Sequence, residues 1–349
     1  MKKILCLVLL LVFLPVASLA GEELNVFNCE DYINEDVLDL FTQETGITIN
    51  YMNYTDNEIM ITTLETNPGG FDVVFPSDYM VERMVNEGLA MPLDFSLIPN
   101  FVNIRQDLLD PSYDAGNAHS VPYMWGTLGI LYNTALVDEE DVHTWAILWS
   151  EKYPNQVMMM DSLRDAMTIA LKYLGYSPNT DDYFELREAA DLLIAQKRSG
   201  AVKAYGLDEI KDKMILGEAA IGVVYSGDAQ YAIEEAAAKG MELRYVIPDE
   251  GSNCWVDCAV IPSTAKNVEN AYKFIDFLCR PEIAAMNVEA IWYMCVNTPA
   301  IELMGEEYTS KPPLNPTAEE LARCEYHQAL DALTLEDYTT LYQEVKNAR

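Results

Sequence analysis

Five short stretches of this chain set carboxylates, hydroxyls and rings side by side: Cys29-Glu30-Asp31-Tyr32, Pro76-Ser77-Asp78-Tyr79, Asp161-Ser162-Leu163-Arg164-Asp165, Tyr225-Ser226-Gly227-Asp228 and Trp255-Val256-Asp257. Carboxylates beside aromatic rings suit a cation, because the ring face and the negative charge attract the same partner. Trp255 and Asp257 carry this furthest. On a strand residues two apart share a face, so this ring and this acid project together while Cys254, Val256 and Cys258 take the other side. The other stretches also have plainer uses. An Asp or Ser after a strand commonly caps the next helix, as Asp78, Ser162 and Asp228 could, and Tyr79 and Tyr225 could equally fill a core.

Catalytic templates do not fit. The chain has no G-x-S-x-G, phosphate loop, H-E-x-x-H or dinucleotide fingerprint. Cys29 has no histidine near it in sequence to act as its base. Glu30 with Asp257 could imitate the acid pair of a glycosidase, which would require a set separation. An exported hydrolase therefore stays as the alternative from another class.

The stretches fall where strands meet helices. Leu24 to Asn28 reads as a strand, Glu35 to Thr45 as a helix closed by Gly46, Ile47 to Tyr51 as a strand, Asp56 to Thr66 as a capped helix, Phe71 to Phe75 as a buried strand and Asp78 to Glu87 as a helix. A second series follows: strands at Trp125 to Tyr132, Val157 to Met160, Ala220 to Tyr225, Leu243 to Ile247 and Cys254 to Ile261. Helices are expected at Thr144 to Lys152, Ser162 to Leu174, Asp182 to Arg198, Leu207 to Leu216, Asp228 to Lys239, Val268 to Cys279, Pro281 to Ile291, Thr317 to Leu330 and Leu335 to Lys346. Repeated βα units predict an α/β fold with largely parallel sheets. At 349 residues and 50% hydrophobic, the chain exceeds what one core usually serves, so two lobes are expected. The absence of a flexible linker implies that the chain crosses between them within continuous strands, as a hinge.

Lys2, Lys3 and an apolar run from Ile4 to Ala20 have the layout of a secretory signal peptide. Ser18-Leu19-Ala20-Gly21 resembles the front of a lipoprotein signal, but Glu22 stands where the acylated cysteine would be. Removing the signal takes two lysines and no acid, leaving 20 basic residues against 56 acidic ones and a net charge of −36. Such a surface repels nucleic acid and anionic lipid and draws small cations. Six cysteines remain. Their spacing forms no small-domain disulfide framework, and no histidine near Cys254 and Cys258 completes a metal site. Buried thiols are the expectation, with no metal and no cofactor.

Several of these residues together resemble the periplasmic spermidine/putrescine-binding proteins of bacterial ABC transporters. The likeness runs from about Leu24 to Arg349. It includes Asn28-x-x-Asp31-Tyr32, Phe41-Thr42-x-Glu44-Thr45-Gly46-Ile47, Phe71-Asp72-Val73-Val74-x-Pro76-Ser77, Val121-Pro122-Tyr123-Met124-Trp125-Gly126, Leu174-Gly175-Tyr176, Trp255-x-Asp257 and Phe277-Leu278-x-Arg280-Pro281. It implies a two-lobe periplasmic-binding-protein fold, each lobe a mixed, mostly parallel sheet flanked by helices, with a hinged cleft between. Residues 21–128 with 258–304 would form one lobe, and 129–257 with 305–349 the other.

The resemblance places Tyr32, Ser77, Tyr79, Trp255, Asp257 and Tyr293 at ligand-binding positions. Asp165 stands where members keep a glutamate, Tyr225 where they have tryptophan, and Gln328 near a glutamine for which His327 is the other counterpart. Cys29 replaces a tryptophan wall that Trp292 could restore, and Glu30 beside it also leaves the pattern. Ser162 stands where spermidine-preferring members have aspartate, while Asp31 and Asp228 match acids of putrescine-preferring ones. The implied protein is exported and monomeric, has no nucleic-acid partner, captures a polyamine with a leaning to putrescine, and delivers it to an ATP-driven membrane permease. Another small cation is the alternative ligand.

Overall fold

The computed structural model describes residues 22–348; the expected signal segment, residues 1–20, lies outside the described residues. Ten strands are present among them: β1 (Glu23–Cys29), β2 (Thr48–Tyr54), β3 (Val73–Val74), β4 (Ser120–Asn133), β5 (Val157–Met160), β6 (Val202–Gly206), β7 (Ile221–Tyr225), β8 (Leu243–Val246), β9 (Cys254–Val260) and β10 (Met294–Cys295). They follow the order β2-β1-β3-β9-β4-β7-β5-β6, with β8 and β10 also paired to β4.

All fourteen residues of β4 are buried, and this strand organises the rest. On one side it pairs with β9 from Ser120 to Thr127 and then with β8 from Ile130 to Asn133. On the other it pairs with β10 at Met124 and Trp125 and then with β7 from Leu128 to Tyr132. Val121, Met124 and Trp125 belong to one hydrophobic core, and Leu128, Ile130 and Leu131 to a second. A single extended strand therefore enters both cores. Tyr308 and Leu314 pack into the first core, whereas Tyr338, Leu341 and Val345 at the end of the chain pack into the second.

Local chemistry explains the helices that face this strand. In Glu35–Thr45 the Asn34 side chain accepts from the Asp36 N–H and Gly46, at φ 75°, turns the chain left-handed at the end. Leu163–Leu174 begins with Ser162 accepting from the Asp165 N–H. These match the expected bounds. Four strand pairings are parallel and five antiparallel among the described residues, because β4 and β9 run against their neighbours, a reversal that βα periodicity does not reveal.

Other expectations need correcting. The helix expected over Thr317 to Leu330 is confined to Ala318–Leu321; beyond it the chain bridges at Asn253↔Glu325, and tertiary pairing overrides helical propensity. Thr144 to Lys152 is a short 3-10 turn, Trp145–Trp149, and Phe71 to Phe75 supplies only Val73–Val74 as strand. Strand β6 and the helix Thr298–Thr309 lacked a clear apolar period. All six cysteines from Cys29 to Cys324 are free thiols. No described helix is long and apolar enough to cross a membrane.

Candidate functional site

The passage of β4 between the two cores, at Gly126-Thr127-Leu128, is where the candidate residues converge. Trp255 on β9 lies opposite Gly126, Tyr225 at the end of β7 lies opposite Leu128, and Tyr293 precedes β10, whose Met294 pairs with Trp125. The rings meet edge to face. Tyr225 and Trp255 have centroids 6.0 Å apart, Trp255 and Tyr293 5.2 Å, and Tyr293 and Tyr32 5.4 Å. Two glycines permit this approach: a Cβ on Gly126 would lie 2.5 Å from Trp255 Cζ2, and one on Gly227 2.6 Å from Tyr293 Cδ1.

Three carboxylates border the ring cluster. Asp257 Oδ2 accepts from the Tyr32 hydroxyl at 2.7 Å, and the Ser77 hydroxyl holds the same carboxylate. Ser77 is fixed in turn by its bridge to Asp257 and by Asn57 Nδ2, which donates to its Oγ at 3.0 Å. Burial pushes Asp257 up to about 6, partly offset by the Ser77 and Tyr32 hydroxyls; among the described residues no cation is seen acting on it. Asp165 Oδ2 accepts from the Tyr225 hydroxyl at 2.8 Å and the Ser162 hydroxyl at 2.6 Å. Asp228 pairs with Lys211 at 3.1 Å and takes a hydrogen bond from Tyr293. Burial raises Asp228 despite Lys211. Acids matched to hydroxyls within a wall of rings form a receptor for a positive charge.

Tyr79 stands at the rim, where its hydroxyl donates to Glu58 Oε1 at 3.2 Å and Arg164 lies over its ring at 5.7 Å. Cys29 is half-buried near Asp257; burial, then the Asp257 charge, pushes its thiol up to about 12. Burial of this kind disfavours the thiolate, the form of a cysteine that acts as a nucleophile.

Four expected residues are not brought to the ring cluster. Glu30 and Asp31 are exposed, and Asp31, at φ 53°, faces a surface groove with Asn34, Leu38 and Ile49. The Trp292 ring is covered by Lys311 Nζ at 4.2 Å, and that ammonium also pairs with Glu234. Gln328 is exposed and contributes its backbone, its N–H donating to Asn179 Oδ1 and its carbonyl accepting from Arg164. His327 is instead buried against Tyr79, with Nε2 2.9 Å from Thr168 Oγ1, and burial holds its pKa well below the usual range.

Sequence reasoning left Asp78 open between a helix cap and a site role, and overlooked Lys211. Asp78 is fully buried behind the site, accepting the Val256 and Tyr79 N–H groups, and burial and then Asp257 raise its carboxyl. Its place in Ser77-Asp78-Tyr79 suggested a helix cap. Lys211 meets Asp228 across a distance of seventeen residues that no local pattern marks.

The sequence model of the family described as bacterial extracellular solute-binding protein matches residues 36–316. The chain belongs to this family. As a solute-binding protein it serves transport outside the cytoplasm. It is 35% identical to the spermidine/putrescine-binding periplasmic protein of Escherichia coli K12, covering 93% of this chain and 91% of that one. It is 33% identical to the putrescine-binding periplasmic protein SpuD of Pseudomonas aeruginosa, covering 93% and 92%. The solved structure of the spermidine/putrescine ABC transporter substrate-binding protein PotD from Streptococcus pneumoniae superposes with a TM-score of 0.82 at 39% identity, over 94% of this chain and 99% of that one. This solute-binding protein thus has the periplasmic-binding-protein fold of its relatives, and the converging strands around Gly126 are its candidate cleft.

Proposed function

We propose that this solute-binding protein captures a linear polyamine, putrescine before spermidine, between two lobes built on its two cores rather than divided at the expected 257/258 and 304/305: Asp257, between Val256 and Cys258, and the chain through Tyr308 and Leu314 go with the first core, and Asp165, beside Ala166, goes with the second. The observation that carries the reading is Asp257, a buried carboxylate with two hydroxyl donors, a wall of rings and no cation of its own. An ammonium would complete it. Trp255, Tyr293, Tyr32 and Tyr225 would line the methylene chain, Asp165 would take the far amine, and Tyr79 and His327 would bound the rim. Acids on both sides of the β4 crossing let one ligand bridge the lobes and favour their closed arrangement. At an effective dielectric of ~20 a charge pair about 4 Å apart gains ~4 kcal/mol before desolvation. Two ends plus ring contacts reach the ~8 kcal/mol of a micromolar dissociation constant.

The closed monomer would deliver the ligand to the membrane permease of an ABC transporter, without turning it over. The relatives named above support this reading, and so does the burial of the Cys29 thiol, which disfavours a nucleophilic thiolate. One observation favours a second ligand class: Trp255 Nε1 is buried with no acceptor, which a cation bearing a carboxylate, such as an ω-amino acid, would satisfy. Titration calorimetry of the protein against putrescine, cadaverine, spermidine, spermine and 4-aminobutyric acid decides between them. Binding of a polyamine and not of the amino acid is expected; heat from the amino acid alone would replace the polyamine reading.

A further inference from the structure

One acid of the site already has its cation. Lys211 Nζ lies 3.1 Å from Asp228 Oδ1, both side chains largely buried, and the lysine's helix Glu209–Ile215 packs against Ser226–Ala238, which carries Asp228. Asp208 and Asp212 add to the field that keeps this ammonium charged. Asp228 also holds the Tyr293 hydroxyl, and the Tyr293 ring stands edge-on to both Trp255 and Tyr32. A protein ammonium therefore sits at one end of the ring cluster.

The other two acids are arranged differently. Asp257 and Asp165 receive hydroxyls from Tyr32, Ser77, Tyr225 and Ser162. Arg164, next to Asp165 in the chain, sends its Nη atoms to the Gln328 carbonyl and Asn179 Oδ1 instead. Among the described residues Asp257 has no ion-pair partner, Asp165 feels the Arg164 charge without pairing with it, and Asp228 alone is closed by a direct ion pair from the protein.

We propose that Lys211 is a specificity-determining residue: it supplies a resident ammonium at the Asp228 end and so limits the ligand to two amino groups. This rests on the polyamine reading above. A diamine spans Asp257 and Asp165 and leaves the Lys211 pair intact. The third ammonium of a triamine must either displace Lys211 from a largely buried pair, stranding one charge, or lie beside it as a like charge; both oppose binding. Specificity then comes from a repulsive element as much as from the attractive ones.

The test is calorimetry with putrescine and spermidine on the ligand-free protein, on Lys211→Met, on Lys211→Arg and on Lys211→Met combined with Asp228→Asn, each checked for folding by circular dichroism. The unmodified protein should favour putrescine at least tenfold; equal affinity for the two overturns the proposal without any variant. Lys211→Met should raise the spermidine-to-putrescine affinity ratio at least tenfold, Lys211→Arg should hold it, and the double variant should lose the gain because the freed carboxylate is gone. A ratio unchanged within threefold in Lys211→Met, or a gain that survives Asp228→Asn, overturns it. Silence toward every polyamine in the unmodified protein would instead sink the functional reading itself.

Discussion

Replacing Asp257 with asparagine should make the ligand-free protein more stable near neutral pH while abolishing useful binding. Burial moves this carboxyl from 3.8 to about 6 against the pull of Ser77 and Tyr32. A group easier to protonate in the folded chain than in the unfolded one lets the folded state bind more protons between those values. Its stabilising contribution is thus complete below 3.8 and lost as pH rises through about 6. At ~1.36 kcal/mol per pH unit, the interval from 3.8 to about 6 amounts to ~3 kcal/mol missing above pH 6. Asparagine removes the charge and keeps the shape, and the Tyr32 hydroxyl can still donate to the amide oxygen. The new amide donor faces Ser77 Oγ, which already accepts from Asn57, and poor pairing there costs about 1–3 kcal/mol. Asp78, raised by burial and then by Asp257, is relieved, which acts in the stabilising direction. A net gain of ~1–2 kcal/mol remains. Denaturant unfolding of both proteins, stripped of ligand by unfolding and refolding, should show this advantage at pH 7.5 and one that shrinks as pH falls from about 6 towards 3.8. Calorimetry should show polyamine affinity falling at least tenfold. An Asp257→Asn protein less stable than its parent at pH 7.5, or an advantage independent of pH, would refute the claim that the empty site stores an unpaired buried charge.

Polyamine affinity should fall about tenfold per pH unit below about 6, since an ammonium needs the ionised Asp257; a flat calorimetric profile from pH 7 to 5 would detach this acid from the ligand. Gly126→Ala should weaken binding at least tenfold and lower stability by ~1–3 kcal/mol, because its Cβ falls 2.5 Å from Trp255 Cζ2 and must shift the ring; unchanged affinity in calorimetry would place the ring outside the ligand's contacts. Asp72→Ala should cost more than ~3 kcal/mol in denaturant unfolding and leave the folded protein's affinity alone, since it strips the acceptor from the N–H groups of Asn25, Lys266 and Asn267. Burial raises Asp72, but those donors outweigh it and hold it below its usual value, so its contribution is present at neutral pH and fades on acidification.

Much of the fold was legible because its signals are local. Asn34 and Gly46 mark both ends of one helix, Ser162 and Gly175 those of another, and each sits where cap chemistry places it. The central strand was half legible: Trp125 to Tyr132 reads as apolar, but its extension back to Ser120 depends on pairing with β9, more than a hundred residues away. Antiparallel neighbours and the bridge at Glu325 likewise depend on partners remote in sequence. The same division runs through the site. Trp255 and Asp257 share a face because of strand geometry alone, whereas Ser77 meets Asp257 through a bridge between segments remote in sequence, which no motif marks. Glu30 and Asp31 sit in the same turn as Tyr32 but are exposed, since the left-handed backbone at Asp31 directs the turn outward.

The acids of this chain show why composition could not decide between a solvated surface and a cation receptor. Asp72 and Asp257 are both buried aspartates, indistinguishable by residue type. Asp72 is surrounded by amide donors of Asn25, Lys266 and Asn267, which lower its pKa against burial and turn its charge into stability. Asp257 has two hydroxyls, a wall of rings and a raised pKa, so its charge costs stability until a cation arrives. A fold would not retain that cost for its own sake. The differential between empty and filled states is the free energy that can close the lobes. Lys211 beside Asp228 is the same arrangement with the cation already supplied by the protein, and comparing the two acids predicts the order of their effects: Asp257→Asn should stabilise the empty protein, whereas Lys211→Met should destabilise it by stranding Asp228. Paired thermal melts of the two variants at pH 7.5 check this, and shifts of the same sign would mean that ion pairing does not distinguish these two carboxylates.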